Sequence, residues 1–326
     1  MLDSLLDRLR EPGTGAPLKL INAERRGAEI WSGQLCSATS HSSYPIVGGI
    51  PRFVPEDNYS ESFGLQWRRF RQTQLDSATG AGYSRQRFDA ETGWQQRDLQ
   101  DAWVLDGGCG AGRFAEIAAQ RGGHVVALDS SSAVDAAQAN LAGHPNVHVV
   151  QGDLLAPPFA TGGFDFVYSI GVLQHTPDPY RALATVLSMC RPGGRFAITA
   201  YGRHWYTRFN GKYLVRPITK RLPPRLLLRL IALVMVPLFP VTDRLFRIPA
   251  LGRLASFVLP VANYVSTTDF TRDQRFAEAI LDTFDMLAPA YDSPLSADRV
   301  DAVLRQAGVE SHEFRRRVPI EVSGRA

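Results

Sequence analysis

Residues 104–114 read VLDGGCGAGRF: an apolar run closes on Asp106, Gly107, Gly108, Gly110 and Gly112 crowd the next positions, and a helix-forming stretch follows without a break. Glycine lets backbone approach a ligand closely and supplies the positive φ of a sharp strand-to-helix turn, so a nucleotide-type cofactor is expected against this turn. Further apolar runs at 124–128, 147–150, 164–170 and 195–200 alternate with helix-forming stretches at 113–121, 133–142 and 181–190. Alternation at this spacing predicts an α/β fold, an open and mostly parallel sheet covered by helices on both faces. Downstream, Val300, Val303, Leu304 and Ala307 share one helical face behind Ser296, a candidate N-cap, with Gly308 as the stop. The tail from 309 to 322 has room for two short strands, which brings the sheet to seven with an antiparallel pair at its edge.

The chain is long enough for such a core plus accessory segments, at 326 residues, 44% hydrophobic and 21% charged. Its three cysteines, Cys36, Cys109 and Cys190, lie far apart. That excludes a disulfide framework and a four-cysteine zinc site within the chain, and it suits a reducing, cytoplasmic compartment. The first 30 residues hold Asp3, Asp7 and Glu11 and no apolar core of secretory length, so no signal is expected there. The formal net charge of +4 is unevenly spread: residues 201–262 carry eleven Lys and Arg against the single acid Asp243. An acidic body with one basic, apolar segment points to an anionic partner for that segment.

The glycine spacing narrows the cofactor. A dinucleotide fingerprint runs G-x-G-x-x-G and needs its third glycine where Arg113 stands, whereas this turn runs G-x-G-x-G. Asp106 would repel a pyrophosphate and welcome the ammonium or sulfonium of an aminoacyl-bearing cofactor. Asp129 closes the second strand, where a carboxylate accepts from the vicinal hydroxyls of a ribose. Gly152-Asp153-Leu154 closes the third, where Asp153 can accept from an adenine amine while Leu154 covers the ring. Singly, each acid reads as a helix cap or a solvated loop residue; together, in register with the glycine turn, they read as a site.

On these residues the stretch 106–200 resembles the class I S-adenosylmethionine-dependent methyltransferases, in particular the small-molecule type of ubiquinone and menaquinone biosynthesis. VLDGGCGAGRF matches the glycine motif, VVALDSS holds the ribose acid, VVQGDLL the adenine acid, FDFVYSIGVLQHTPDP follows the fourth strand, and Pro192-Gly193-Gly194 is a further family mark. The resemblance implies a Rossmann-like, doubly wound seven-stranded sheet and S-adenosyl-L-methionine as cofactor. It implies Asp106 and the four glycines near the methionine portion, Asp129 with Ser130 at the ribose, Gly152, Asp153 and Leu154 at the adenine, and Ser169 with Ile170 in the floor. The stretches SFGLQW at 62–67 and SRQRF at 84–88 resemble a subgroup whose N-terminal helices fold over the cofactor. Gln66, Trp67 and Arg87 are then expected at its methionine end, Arg87 on the carboxylate; a packed Trp with surface arginines is the other reading.

Methyl transfer from a sulfonium is an in-line displacement, so the protein mainly aligns the nucleophile and excludes water. Relatives that methylate nucleobases carry an Asn- or Asp-Pro-Pro-aromatic element after strand four. Here that place reads LQHTPD, which disfavours nucleic acid and favours a small-molecule or lipid-linked acceptor methylated at oxygen. His175 is the candidate general base toward a hydroxyl, and bracing the turn before Thr176-Pro177 is its alternative. Asp178 reads as the cap of the next helix. Tyr291 and Asp292 fall in a segment that resembles one on the substrate side of the subgroup. Two other classes stay open: a non-catalytic S-adenosylmethionine-binding partner protein, and an NAD-dependent oxidoreductase, against which the glycine spacing argues.

The chain divides into 1–57, a degenerate zinc-ribbon-like module; 58–101, an N-terminal helical lid; 102–202, the cofactor-binding core; 203–290, a basic apolar helical insertion after strand five with a substrate-side segment; and 291–326, a C-terminal helix and strands. In the first module Tyr44-Pro45-Ile46 and GIPRF at 49–53 match the ribbon, but its knuckle positions hold Glu11, Thr14, Cys36 and Thr39, so a metal-free relic is expected. In the insertion the uncharged run 230–241 contains Pro237 and Pro240 and reads as too short to span a bilayer. Its flanking arginines, with Trp205 and Tyr206, suit peripheral contact with the inner face of an anionic membrane or a lid over a lipid-like acceptor. A cap packed on the sheet or a dimer surface is the alternative, RNA a third. The oligomeric state is left open by the sequence.

Overall fold

The computed structural model describes residues 1–55, 58–265 and 270–326; the module boundary expected at 57 falls outside them. The N-terminal module comprises α1 (Asp3–Leu6) and an antiparallel sheet of β1 (Leu18–Arg26), β2 (Glu29–Ser37), β3 (Ser43–Val47) and β4 (Ile50–Pro51). Of the four knuckle positions, Glu11 and Thr14 bond directly and Thr39 joins them through Ser37, while Cys36 Sγ faces Ser43 Oγ at 3.5 Å instead. Glu11 accepts from Thr14 Oγ1 at 2.6 Å, from Ser37 Oγ at 2.9 Å and from Ser40 Oγ, and Ser37 in turn bonds Thr39 at 3.0 Å. Hydroxyl-to-carboxylate bonds thus join the two knuckles.

Three helices follow in the expected lid, α2 (Glu61–Arg69), α3 (Asp76–Thr79) and α4 (Tyr83–Thr92), then the core, in which strand and helix alternate except where β8 follows β7 directly. It runs β5 (Trp103–Gly107), α5 (Arg113–Gln120), β6 (His124–Asp129), α6 (Ala133–Leu141), β7 (Val147–Gln151), β8 (Phe164–Ile170), α7 (Pro179–Met189) and β9 (Cys190–Ala200). Strands rich in Val, Ile and Phe bury both faces, as Val104, Leu105, Val125, Val126 and Val167 show by their complete burial. Five strands are parallel in the order β9-β8-β5-β6-β7. The strand order reverses at β5, and the glycine turn leaves its carboxyl end there, where open α/β sheets form their ligand crevice. The expected turn at Pro192-Gly193-Gly194 instead lies inside β9 as a bulge: Phe164 pairs with Cys190 but Phe166 with Arg195. A Cβ on Gly194 would stand 2.7 Å from Cys190 Sγ and 2.8 Å from Asp165 O, so glycine alone fits.

The insertion holds α8 (Gly211–Thr219), α9 (Pro224–Leu245), α10 (Leu251–Val258) and α11 (Arg272–Leu287); α12 (Ala297–Gln306), β10 (Ser311–Arg317) and β11 (Ile320–Arg325) close the chain. β11 joins β9 antiparallel and β10 joins β11, completing the seven-stranded sheet. Ser296 precedes α12 without a side-chain cap; its N–H donates to Tyr180 Oη at 2.8 Å instead. One expectation fails outright. α9 is continuous through Pro237 and Pro240 for 22 residues and contains an 18-residue stretch with a mean hydropathy of 1.9, which by length and composition is enough to cross a membrane. The bounding charges do not end it, because Arg229 points to solvent and Asp243 pairs with Arg275. Leu227, Ile231, Met235 and Phe239 form its inner stripe and cover Ala279, Ile280, Phe284 and Leu287 of α11.

Candidate active site

A cavity of about 640 Å³ lies at the carboxyl edge of the sheet, between the glycine turn, the lid and α11, within the range of roughly 300–1,000 Å³ usual for ligand pockets. Of the residues expected from sequence, Gly108, Gly110, Asp129, Ser130, Leu154, Ile170, His175, Trp67, Arg87 and Gln66 line it. Gly110 turns at φ +53° directly beneath the Trp67 indole; a Cβ there would sit 2.9 Å from Nε1. Its N–H donates to Asp129 Oδ2 at 2.9 Å, and Asp129 Oδ1 takes the Ser131 N–H at 2.8 Å and its hydroxyl at 2.7 Å. Burial pushes the Asp129 carboxyl up despite these donors, so a further donor from a ligand would be met favourably.

The other expected residues stand behind the wall. Asp106 is buried with Oδ2 unpartnered, facing Tyr168 and the start of α5 rather than the cavity. Burial raises its carboxyl to about 7, helped by the charge of Asp129. Gly112, at φ +88°, starts α5 against Leu141, Ser169 Oγ donates to Gly107 O at 2.7 Å, and Gly152 N–H donates to Asp129 O at 3.0 Å. Asp153 Oδ1 receives the Tyr59 hydroxyl at 3.0 Å and the Leu155 N–H at 2.9 Å. Tyr59, not Asp153, is therefore the surface presented to a ligand at that end.

His175 sits on the short turn after β8, 5% exposed. Its Nδ1 lies 3.1 Å from Tyr291 O, and a carbonyl oxygen only accepts, so Nδ1 carries a hydrogen and, in the neutral ring, Nε2 presents the lone pair. Nε2 has no hydrogen-bond partner, and Asp285 Oδ2 stands 4.0 Å away. Phe63 and Tyr201 box the ring at centroid distances of 5.1 and 5.6 Å. Gln66 Nε2 donates to Asp285 Oδ1 at 3.2 Å, tying lid and α11 together.

Several wall residues were not singled out from sequence. Glu278, Asp282 and Asp285 line the cavity from one face of α11. Burial, then the charges of Glu278 and Asp285, push the Asp282 carboxyl well up. The periodicity i, i+4, i+7 of these acids was the available signal. Arg113, buried, bonds Gln74 through Nη1 but leaves Nε and Nη2 without partners, and burial lowers its guanidinium to about 10. Arg87, by contrast, is paired with Glu91 at 2.6 Å. Asp292 is structural, holding Lys212 Nζ at 2.7 Å and standing 3.9 Å from Arg216 Nε, while Asp178 caps α7 by accepting from Arg181 N at 3.1 Å.

A doubly wound sheet with a glycine turn, the Asp129 carboxylate at the end of the next strand and Trp67 over the turn has the layout of a nucleoside-cofactor site. Residues 105–198 match the family described as a methyltransferase domain. Trans-aconitate 2-methyltransferase of Deinococcus radiodurans is 39% identical over 117 residues, 33% of this chain and 44% of that protein. Ubiquinone biosynthesis O-methyltransferase of Coxiella burnetii is 28% identical over 132 residues, 39% of this chain and 56% of that protein. A crystal structure of an S-adenosylmethionine-dependent methyltransferase from Mesorhizobium loti shares 26% identity over 37% of this chain and 54% of its own, with a TM-score of 0.32. The chain spans about half the length of the curated relatives it matches.

Proposed function

We propose that the protein transfers a methyl group from S-adenosyl-L-methionine to a hydroxyl oxygen of a small-molecule acceptor, and that the acceptor is lipid-linked and met from the cytoplasm at the inner face of a membrane. The single observation that carries the catalytic reading is the His175 lone pair, fixed in its tautomer, unpartnered and buried in a cavity that also contains the glycine turn. The cofactor supplies the electrophilic methyl and its own leaving group. The residues present fit it: Gly108 and Gly110 line the cavity with backbone, Asp129 would accept from the ribose, Tyr59 and Leu154 would flank the adenine, and the free donors of Arg113, with Arg87 beside it, would hold the methionine carboxylate. Trp67 and Phe63, which line the cavity, would keep water from the reacting atoms. His175 Nε2 takes the acceptor proton, and Asp285 lies where its charge stabilises the imidazolium that results. The ubiquinone relative is named an O-methyltransferase, which favours oxygen as the methylated atom. His175→Ala is expected to abolish most methyl transfer from labelled cofactor while leaving S-adenosylhomocysteine affinity intact; equal turnover by the variant would remove His175 from the mechanism.

A further inference from the structure

The exposed apolar surface of this protein is gathered on its insertion. Trp205, Phe209, Leu214, Ile218, Leu233 and Val236 are each more than half exposed, Trp205 at 81%. Along α9 the side opposite the α11 contact carries Leu226, Leu230, Leu233 and Val241, where a water-facing helix would be polar. α10 presents Leu251, Leu254 and Val258 and packs on both α8 and α9. The start of α8 and the end of α10 touch so closely that a Cβ on Gly211 would stand 1.8 Å from Val258 O.

The charge on the same segment divides into two parts. Lys212 and Arg216 are buried and anchored, by Asp292 and by the Met286 and Pro289 carbonyls. The other nine Lys and Arg of 201–262 are exposed, and among the described residues only Arg247 of these nine pairs with a carboxylate. The segment also opens the cavity: Tyr206 and Ser256 are exposed and line it, and Asn210, Tyr213, Phe257 and Leu259 continue the wall inward.

We infer that α8–α10 is a docking face for an anionic phospholipid bilayer, and that docking turns the cavity opening to the bilayer so that an amphiphilic acceptor passes to His175 without crossing water. The docking half stands by itself, and the acceptor half rests on the methyltransferase reading. Apolar side chains interleaved with unpaired cations match an interface of acyl chains beneath anionic headgroups. A second copy on this face would set its cations against their like, and a nucleic acid would leave the apolar side chains facing phosphate. Insertion of α9 as a span would strip Phe284 and Leu287 of their cover, so the helix lies in the interface.

The test spins the 326-residue chain, loaded with S-adenosylhomocysteine, with vesicles of phosphatidylcholine alone or mixed with phosphatidylglycerol across a salt series. Leu233→Asp/Val236→Asp and Arg225→Glu/Arg229→Glu variants run beside it. Binding is expected to anionic vesicles, to weaken with salt, and to fall at least about tenfold in each double variant, since each basic group near such a surface contributes roughly fivefold. S-adenosylhomocysteine affinity should be the same in all three proteins. Brominated lipid should quench tryptophan emission, and Trp205→Phe should remove that quenching, which places the opening at the bilayer. A cofactor-binding protein that ignores anionic vesicles overturns the docking face and leaves the methyltransferase reading standing. Equal binding to neutral vesicles, or a dimer dissolved by Leu233→Asp/Val236→Asp, also overturns it. Docking without any cofactor affinity would sink the methyltransferase reading alone.

Discussion

At the scale of single residues, chemistry is set by which buried atoms lack partners. Asp129 lines the cavity, and under the proposed function Asp129→Ala should weaken S-adenosylhomocysteine binding by about 1–3 kcal/mol, the cost of unpaired ribose hydroxyls. Titration calorimetry on the purified variant checks this, and unchanged affinity would mean the ribose lies elsewhere. Asp285→Asn should lower turnover at saturating cofactor and alter the pH–rate profile, because the imidazolium loses its counter-charge, while leaving cofactor affinity intact. A merely structural Asp285 would move stability and not the profile. Asp106 makes a separate prediction. Its folded carboxyl is raised to about 7, so the cofactor-free protein binds that proton more tightly than the unfolded chain and loses stability as pH rises from about 4 through 7. Asp106→Asn should flatten that part of the stability curve, measured by denaturant melts at several pH values.

At the scale of elements, the two accessory modules answer to different forces. The first is pinned by the Glu11 network, whose hydroxyl donors, Ser40 and Thr14 foremost, hold the carboxyl down to about 2. A depressed folded value means the contribution is present above about 4.5 and is lost as pH falls toward 2. Glu11→Gln should therefore loosen the β1–β2 knuckles at neutral pH, seen as faster amide exchange there, with the core strands unaffected. The insertion is pinned by apolar packing of α9 on α11. Phe284→Ala should cost about 3–5 kcal/mol and release α9 to proteolysis ahead of the core. The parallel core was legible because buried strands and Ala-rich helices leave strong periodic patterns, as at 103–105 and 133–142. The continuity of α9 was not, because Pro237 and Pro240 lower the local propensity and only the partner helix, distant in sequence, outweighs it.

At the scale of the whole molecule, the reacting centre is a meeting of segments far apart in the chain: lid, glycine turn, post-β8 turn, insertion and α11 each give it a wall. This explains what sequence could reach at the site. Residues within the core motifs, such as Gly110, Asp129 and His175, are marked by their position after a strand. Tyr59, Arg113 and Asp285 owe their roles to neighbours more than ninety residues away or to an orphaned atom, and neither leaves a local pattern. The central claim is catalysis of methyl transfer, and its most direct test uses methyl-labelled S-adenosylmethionine with lipid and polar extracts of the cells that make the protein. Label should enter an organic-extractable product, stable to mild alkali as an ether is, and should fail to do so with His175→Ala. Tight cofactor binding with no label transferred to either extract would contradict the account and make the protein a binding partner instead.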